Sequence, residues 1–444
     1  MKLQNFIILI IAQLVMGFND NFTEKELWIE QKLDHFDENE TRTWQMRYSE
    51  SDTFYKPGGP ILINVNGEWP LAVKSELCGM FYELVEKFNA YAFQTEHRYY
   101  GKSHPVQNLT TENLQYLTMK QALADLAHFV RHQKSSVPGL ANSKVIILGC
   151  SYAGSIVTYF RKDYPELIDG GWSSCAGLYY RLDYSDALVS VGKSIRKIGG
   201  DVCYDQVNHF TKAYLKHKKA NDETYTLLQQ LNLTVEYNNM DETIATHVQH
   251  RNISMFQKIC SNITAVDSND IVEFGLVLQH LRSKIPEVGN KDDIEFSEDH
   301  STRQYFYQTC NEFGNFQSTS SQHQPFGNRK PFSSLIAQCK KEFGPKFTID
   351  YINKKVDEIN ALYGGTQPNV DHIYFTKAED DPWRWAGIVD ECATVIPGIA
   401  HCHDLRARSP NDPPALAAAK QKGFELIESW INGGGTTRET LTKC

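Results

Sequence analysis

The chain has 444 residues and a formal net charge of −9, from 54 acidic against 45 basic side chains. It carries no basic cluster, which argues against nucleic acid as a partner, and its length is enough for two or three domain-sized units around a large core. With no internal repeat and no long low-complexity segment, it reads as an enzyme-sized globular protein.

The first residues are Met-Lys-Leu-Gln-Asn, followed by Phe6 to Met16, apolar except for Gln13, and then Gly17. A basic start, an apolar stretch too short to span a bilayer comfortably and a small residue after it describe a secretory signal peptide over residues 1–19, cleaved near Gly17 to Asp20. No later segment approaches transmembrane length, so the mature chain is expected to be secreted or lysosomal, with no membrane partner. Ten cysteines suit an oxidising compartment, although their spacing does not fix their pairing. Asn-x-Ser/Thr sites at Asn21, Asn39, Asn108, Asn232, Asn252 and Asn262 agree with that compartment. No C-x-x-C pair occurs, so no metal site is expected, and the sequence implies no cofactor.

Residues 24–58 are polar, with Trp28, Phe36, Trp44 and Tyr48 spaced through them, and predict opening strands that Gly58-Gly59-Pro60 stops. Ile61 to Val65 is a run without polar alternation, the pattern of a strand covered on both faces. It ends in Asn66-Gly67-Glu68-Trp69-Pro70. Ala90 to Thr95 is a second such strand, and the charged and aromatic residues Glu96 to Gly101 at its end predict a buried ion pair near the sheet edge. Leu117 to Gln133 carries Met119, Leu123, Leu126 and Val130 at helical spacing. The strand Val145 to Leu148 then completes a strand, helix, strand unit.

That strand points at Ser151, within Gly149-Cys150-Ser151-Tyr152-Ala153-Gly154, and an amphipathic run from Ser155 to Lys162 follows. A serine in G-x-S-x-small between a strand and a helix reads as a nucleophile elbow, which needs small neighbours so that strand and helix approach closely. The helix N-terminus adds backbone N–H groups that stabilise an anion. The expected fold is therefore α/β, an α/β-hydrolase with an inserted helical cap. In such a fold the second oxyanion donor follows an early strand, which makes Gly67 or the N–H of Glu68 the candidate, an ordinary strand-end turn being the plain alternative.

Leu167 to Cys175 is the next predicted strand. From about 181 to 348 the sequence turns charged and helix-rich, too long for a loop, and reads as a cap over the C-terminal edge of the sheet. It separates core segments 24–180 and 349–444. The sheet resumes at His372 to Thr376, which runs into Lys377-Ala378-Glu379-Asp380-Asp381-Pro382-Trp383, and at Thr394 to Ile396, followed by His401-Cys402-His403-Asp404. Pro414 to Asn432 closes the chain as a helix. A serine hydroxyl needs a histidine to take its proton and a carboxylate to orient that histidine. Asp381 is the candidate acid, with Asp380 and Glu379 competing, and His401 the candidate base, with His403 competing.

Five stretches carry a resemblance: Glu96 to Gly101 (EHRYYG), Gly149 to Gly154 (GCSYAG), Gln308 to Gly314 (QTCNEFG), Asp381 to Trp383 (DPW) and Ala400 to Arg406 (AHCHDLR). With them the chain resembles the prolyl-directed serine peptidase family that includes lysosomal Pro-X carboxypeptidase, dipeptidyl peptidase II and thymus-specific serine protease. The resemblance is expected to run nearest to the thymus-specific branch, whose histidine is also followed by cysteine. The resemblance implies Ser151 as nucleophile, Asp381 as orienting acid, His401 as base and Tyr152 as oxyanion donor through its N–H. The family usually has two glycines before the glutamate after the first buried strand; here the first is Asn66. It further implies a Cys310–Cys339 disulfide, proline-containing peptides as substrates, and Glu312 as a group that meets a substrate amine. Cys150 is expected to be a buried thiol, and a homodimer is left open. Two rival readings keep the fold: an esterase or lipase with the same triad, and an inactive binding homologue.

Overall fold

The computed structural model describes residues 22–72, 79–250, 253–287 and 289–434. The expected signal peptide and the sites at Asn21 and Asn252 lie outside them. Strands β1 (Lys25–Lys32) and β2 (Thr43–Ser51) open the main sheet, and β3 (Ile61–Val65), β4 (Tyr91–Thr95), β5 (Val145–Cys150) and β6 (Gly170–Ser174) form its centre, buried at every position. Strands β7 (Arg181–Asp183) and β8 (Gly314–Phe316) make a separate pair, and β9 (Ile373–Ala378) and β10 (Ala393–Ile396) complete the main sheet. Its order is β1-β2-β4-β3-β5-β6-β9-β10. The β1-β2 and β2-β4 pairings are antiparallel and all others in this sheet are parallel. Parallel strands need crossovers, and helices supply them. The sixth strand begins at Gly170 rather than at Leu167, because Pro165–Leu167 form a short 3₁₀ turn opened by proline.

The pleat sorts the strand residues by alternate position. Ile61, Ile63 and Val65, with Val145 and Ile147, pack against α2 (Met119–Ser136) and α3 (Tyr152–Asp163) through Leu123, Leu126, Phe129, Val130, Ile156 and Phe160, whereas α1 (Gly79–Phe88) lies elsewhere. Leu62, Ile146 and Leu148 face the other side, against α1 and the closing helix Pro414–Ile431. Uninterrupted apolar strands follow from this two-sided cover. Thr118 caps α2, accepting from Gln121 N–H, so the helix begins at Met119, two residues after the predicted start at Leu117.

Between β7 and β9 the chain is mostly helical. Helices from Asp186 to Arg282 close on their own apolar cluster, including Phe210, Tyr214, Tyr237 and Phe274. The Cys203–Cys260 disulfide ties this unit across 57 residues, a closure worth about 4 kcal/mol by loop entropy. Farther along, Phe306, Phe313, Phe343 and Phe347 join the cluster that covers the sheet, and Cys310 pairs with Cys339. The segment expected as one cap over 181–348 thus packs in two parts. Among the described residues no helix is long and apolar enough to cross a membrane.

Candidate active site

Ser151 sits between the end of β5 and the start of α3 with φ 56° and ψ −126°. A non-glycine residue holds that region only where its surroundings over-determine it. Here Ser151 N–H donates to Ser174 O at 2.9 Å on the neighbouring strand. A side chain at Gly149 would place Cβ 2.6 Å from Ala153 O, and one at Gly154 would place it 2.8 Å from Ser174 O. The turn is therefore sharp because both flanks are bare. Gly67 lies beside it, where a Cβ would stand 3.2 Å from Ala153 N. Tyr152 is the first residue of α3, so its N–H has no intrahelical acceptor. Asn66 is buried, with Nδ2 donating to Pro70 O at 3.4 Å.

Beyond β9, Asp381 is fully buried, and its Oδ2 lies 2.6 Å from His401 Nδ1 while Oδ1 accepts from Trp383 N–H at 2.9 Å. Burial alone would lower the imidazole pKa, but the Asp381 charge and hydrogen bond outweigh it and hold His401 above the usual histidine value. The competing acids are engaged elsewhere: Glu379 and Asp380 both accept from Lys197 Nζ, at 2.6 and 2.8 Å. His403 is driven down to about 3 by burial and by Arg406. His401 Nε2 is buried and has no hydrogen-bond partner. Its backbone N–H donates to Gln249 O at 2.9 Å, so the helix Met240–His250 of the inserted segment fixes the histidine loop.

Cys175 connects the two halves. It lines a cleft with Ser151, Tyr152, Tyr180, Tyr305, Phe313 and Trp383, and its Sγ lies within 4.8 Å of a His401 ring nitrogen and of Cys402 Sγ. Ser151 and His401 make no direct hydrogen bond among the described residues, a bond that catalytic pairs often complete only with substrate present.

The charged run after β4 forms the buried ion pairs its composition predicts. Arg98 holds Asp125 through Nε at 2.6 Å and Nη2 at 2.8 Å, and Glu96 accepts from Ser103 Oγ, Leu71 N–H and Lys102 N–H. Gly101, at φ +56°, is required there because a Cβ would fall 2.0 Å from Glu96 Oε1. His97 Nε2 lies 3.0 Å from Tyr152 Oη, which accepts from Gln308 Nε2 at 2.9 Å. Two distant motifs thereby brace the residue after Ser151. Burial lowers His97 to about 4, leaving it neutral.

Glu312 is placed otherwise than a group waiting for a substrate amine. Its carboxylate accepts from Met119 N–H at 3.0 and 3.2 Å at the head of α2, and Phe313 and Gly314 line the cleft in its stead. Burial pushes it up to about 7. Sequence reasoning considered only the N–H of Glu68; its carboxyl is a second acid at the site, half-buried, with Oε2 sealed and unpartnered, pushed up to about 7 by burial against the pull of His401. Cys175 and Lys377 were also missed, since nothing local marks them. Lys377 is buried and donates to Ala176 O. Cys150, expected as a buried thiol, is one. Asn39, Asn232 and Asn262 are exposed and Asn108 is half-buried.

This strand order, with a sharp turn after its fifth strand and an acid–histidine pair beyond its last two, is the α/β-hydrolase fold. The family model described as serine carboxypeptidase S28 matches residues 31–423. The chain belongs to that family and is a serine-type peptidase. The thymus-specific serine protease of Mus musculus is 25% identical to it, covering 94% of this chain and 89% of its own length. The lysosomal Pro-X carboxypeptidase of Bos taurus is 26% identical, covering 91% of this chain and 87% of its own.

Proposed function

We propose that this peptidase cleaves peptide bonds next to proline, near a chain end, through an acyl-enzyme on Ser151. The observation that carries the reading is the buried, unpartnered Nε2 of His401, oriented by Asp381 and joined to the Ser151 cleft through Cys175. Ser151 Oγ attacks the scissile carbonyl as Nε2 takes its proton. The oxyanion is received by the N–H groups of Tyr152 and Gly67, and the imidazolium returns the proton to the leaving amine. Water, activated by the same imidazole, then releases the acyl group. The aromatic walls Tyr180, Tyr305, Phe313 and Trp383 suit a proline ring. The helical segment 186–282 acts as a cap that excludes folded chains and favours termini. The Cys203–Cys260 and Cys310–Cys339 disulfides support a secreted or lysosomal setting.

The experiment is mass-spectrometric product analysis of a peptide panel with proline moved through each position from either end, run beside simple esters. Cleavage adjacent to proline is expected, and the product ends distinguish carboxypeptidase from dipeptidyl peptidase action. Intact peptides in the presence of protein that labels with a fluorophosphonate would remove the substrate assignment.

A further inference from the structure

Among the described residues the peptidase reading leaves three buried thiols without a task, Cys150, Cys175 and Cys402. Cys175 and Cys402 are 1% and 2% exposed, and both flank His401, itself 5% exposed. Cys402 N–H donates to Cys175 Sγ at 3.3 Å. One ligand atom from each of Cys175, His401 and Cys402 lies within 4.8 Å of the other two. Asp381 occupies Nδ1, which leaves Nε2, sealed from solvent and without a hydrogen-bond partner, as the imidazole atom available for a ligand.

We propose that Cys175, His401 and Cys402 form a binding site for a thiophilic divalent cation such as Zn²⁺, and that its occupancy reversibly switches the peptidase off. Two thiolates and one imidazole are a zinc donor set that leaves a fourth position open. Tetrahedral zinc holds such donors about 3.5–3.8 Å apart, so the cluster contracts by at most about 1.3 Å to close on the ion. On binding, the two thiols and the His401 imidazolium, whose Nε2 must be free to ligate, release their protons to solvent, and the two thiolate charges neutralise the cation. The carboxylate of Asp381 on Nδ1 is the partner that orients a metal-bound imidazole. Cys175 lines the same cleft as Ser151, so the ion reaches the site by the substrate's route. Once there it takes up the Nε2 lone pair that would accept the Ser151 proton. The inhibitory consequence rests on the proposed role of His401; the binding site itself does not.

The test uses the full chain with its thiols kept reduced, and two independent readouts. Cobalt(II) titration should give one sulfur-to-cobalt charge-transfer band per chain, displaced by zinc and removed by a chelator. Zinc should slow fluorophosphonate labelling of Ser151, and the chelator should restore it. Cys402→Ser, and separately Cys175→Ser, should abolish the band and weaken zinc inhibition more than about tenfold, since losing a ligand costs at least what losing its outer partner does. Absence of the band in the unmodified chain overturns the site, and equal zinc inhibition in a labelled Cys402→Ser variant overturns the switch. A protein that never labels with the probe refutes the serine-peptidase mechanism, yet the cobalt band still decides the metal site.

Discussion

Asp381 and His401, twenty positions apart, meet at 2.6 Å between Oδ2 and Nδ1 with both side chains buried. A carboxylate there fixes the tautomer that leaves Nε2 able to accept a proton. Asp381→Asn keeps the shape but presents a donor to Nδ1. Fluorophosphonate labelling should slow on the order of 10⁴-fold with an unchanged circular dichroism spectrum. A loss smaller than tenfold would mean that Asp381 does not orient the base.

Glu68 sits in the field of His401 with a carboxyl pushed up to about 7. When ionised, it favours the imidazolium and so raises the histidine's working pKa. Glu68→Gln removes that charge, and the acid limb of kcat/KM should move to lower pH by up to about one unit. A pH profile of the variant superimposable on the parent's would show that Glu68 has no electrostatic hold on the base.

Arg98 and Asp125 form a two-point ion pair at the end of β4, with side-chain exposures of 0% and 4%. Removing one partner strands the other charge away from water. Asp125→Ala should lower unfolding free energy by about 3–5 kcal/mol, read as a reduced urea midpoint at unchanged slope. Loss of less than about 1 kcal/mol would place the pair outside the folded core's energetics.

Asp404, beneath β6 and β9, accepts from Ser174 Oγ at 2.7 Å and Thr376 Oγ1 at 2.5 Å. Burial raises its pKa from 3.8 to about 6. Between those values the folded state keeps a proton that the unfolded chain has released, so the stability Asp404 lends is present at low pH and lost as pH rises toward 6. Asp404→Asn stays neutral throughout. Against it, the parent should lose about 2 kcal/mol between about pH 4 and pH 7, measured as paired urea unfolding curves at the two pH values. A constant difference would mean that Asp404 titrates normally.

Much of the sheet was legible because strands buried on both faces must be apolar at every position, as Ile61–Val65 and Val145–Cys150 are. The nucleophile turn was legible too, since strand and helix can meet at Ser151 only if Gly149 and Gly154 carry no side chain. The sequence favours Asp381 over Glu379 and Asp380 on its motif and its resemblance, but the physical reason for the choice lies in the fold. It depends on Lys197, nearly two hundred residues upstream, which takes the first two acids and leaves the third to His401. Glu312 likewise looked free to meet a ligand until folding brought the head of α2 onto its carboxylate. Local chemistry and periodicity are written along the chain, so the sequence alone determined which segments form strands and where a serine stands on a sharp turn. Only the tertiary structure decided which acid serves the histidine and which thiols surround it, because those partners come from separate strand ends and no pattern within one segment records their meeting.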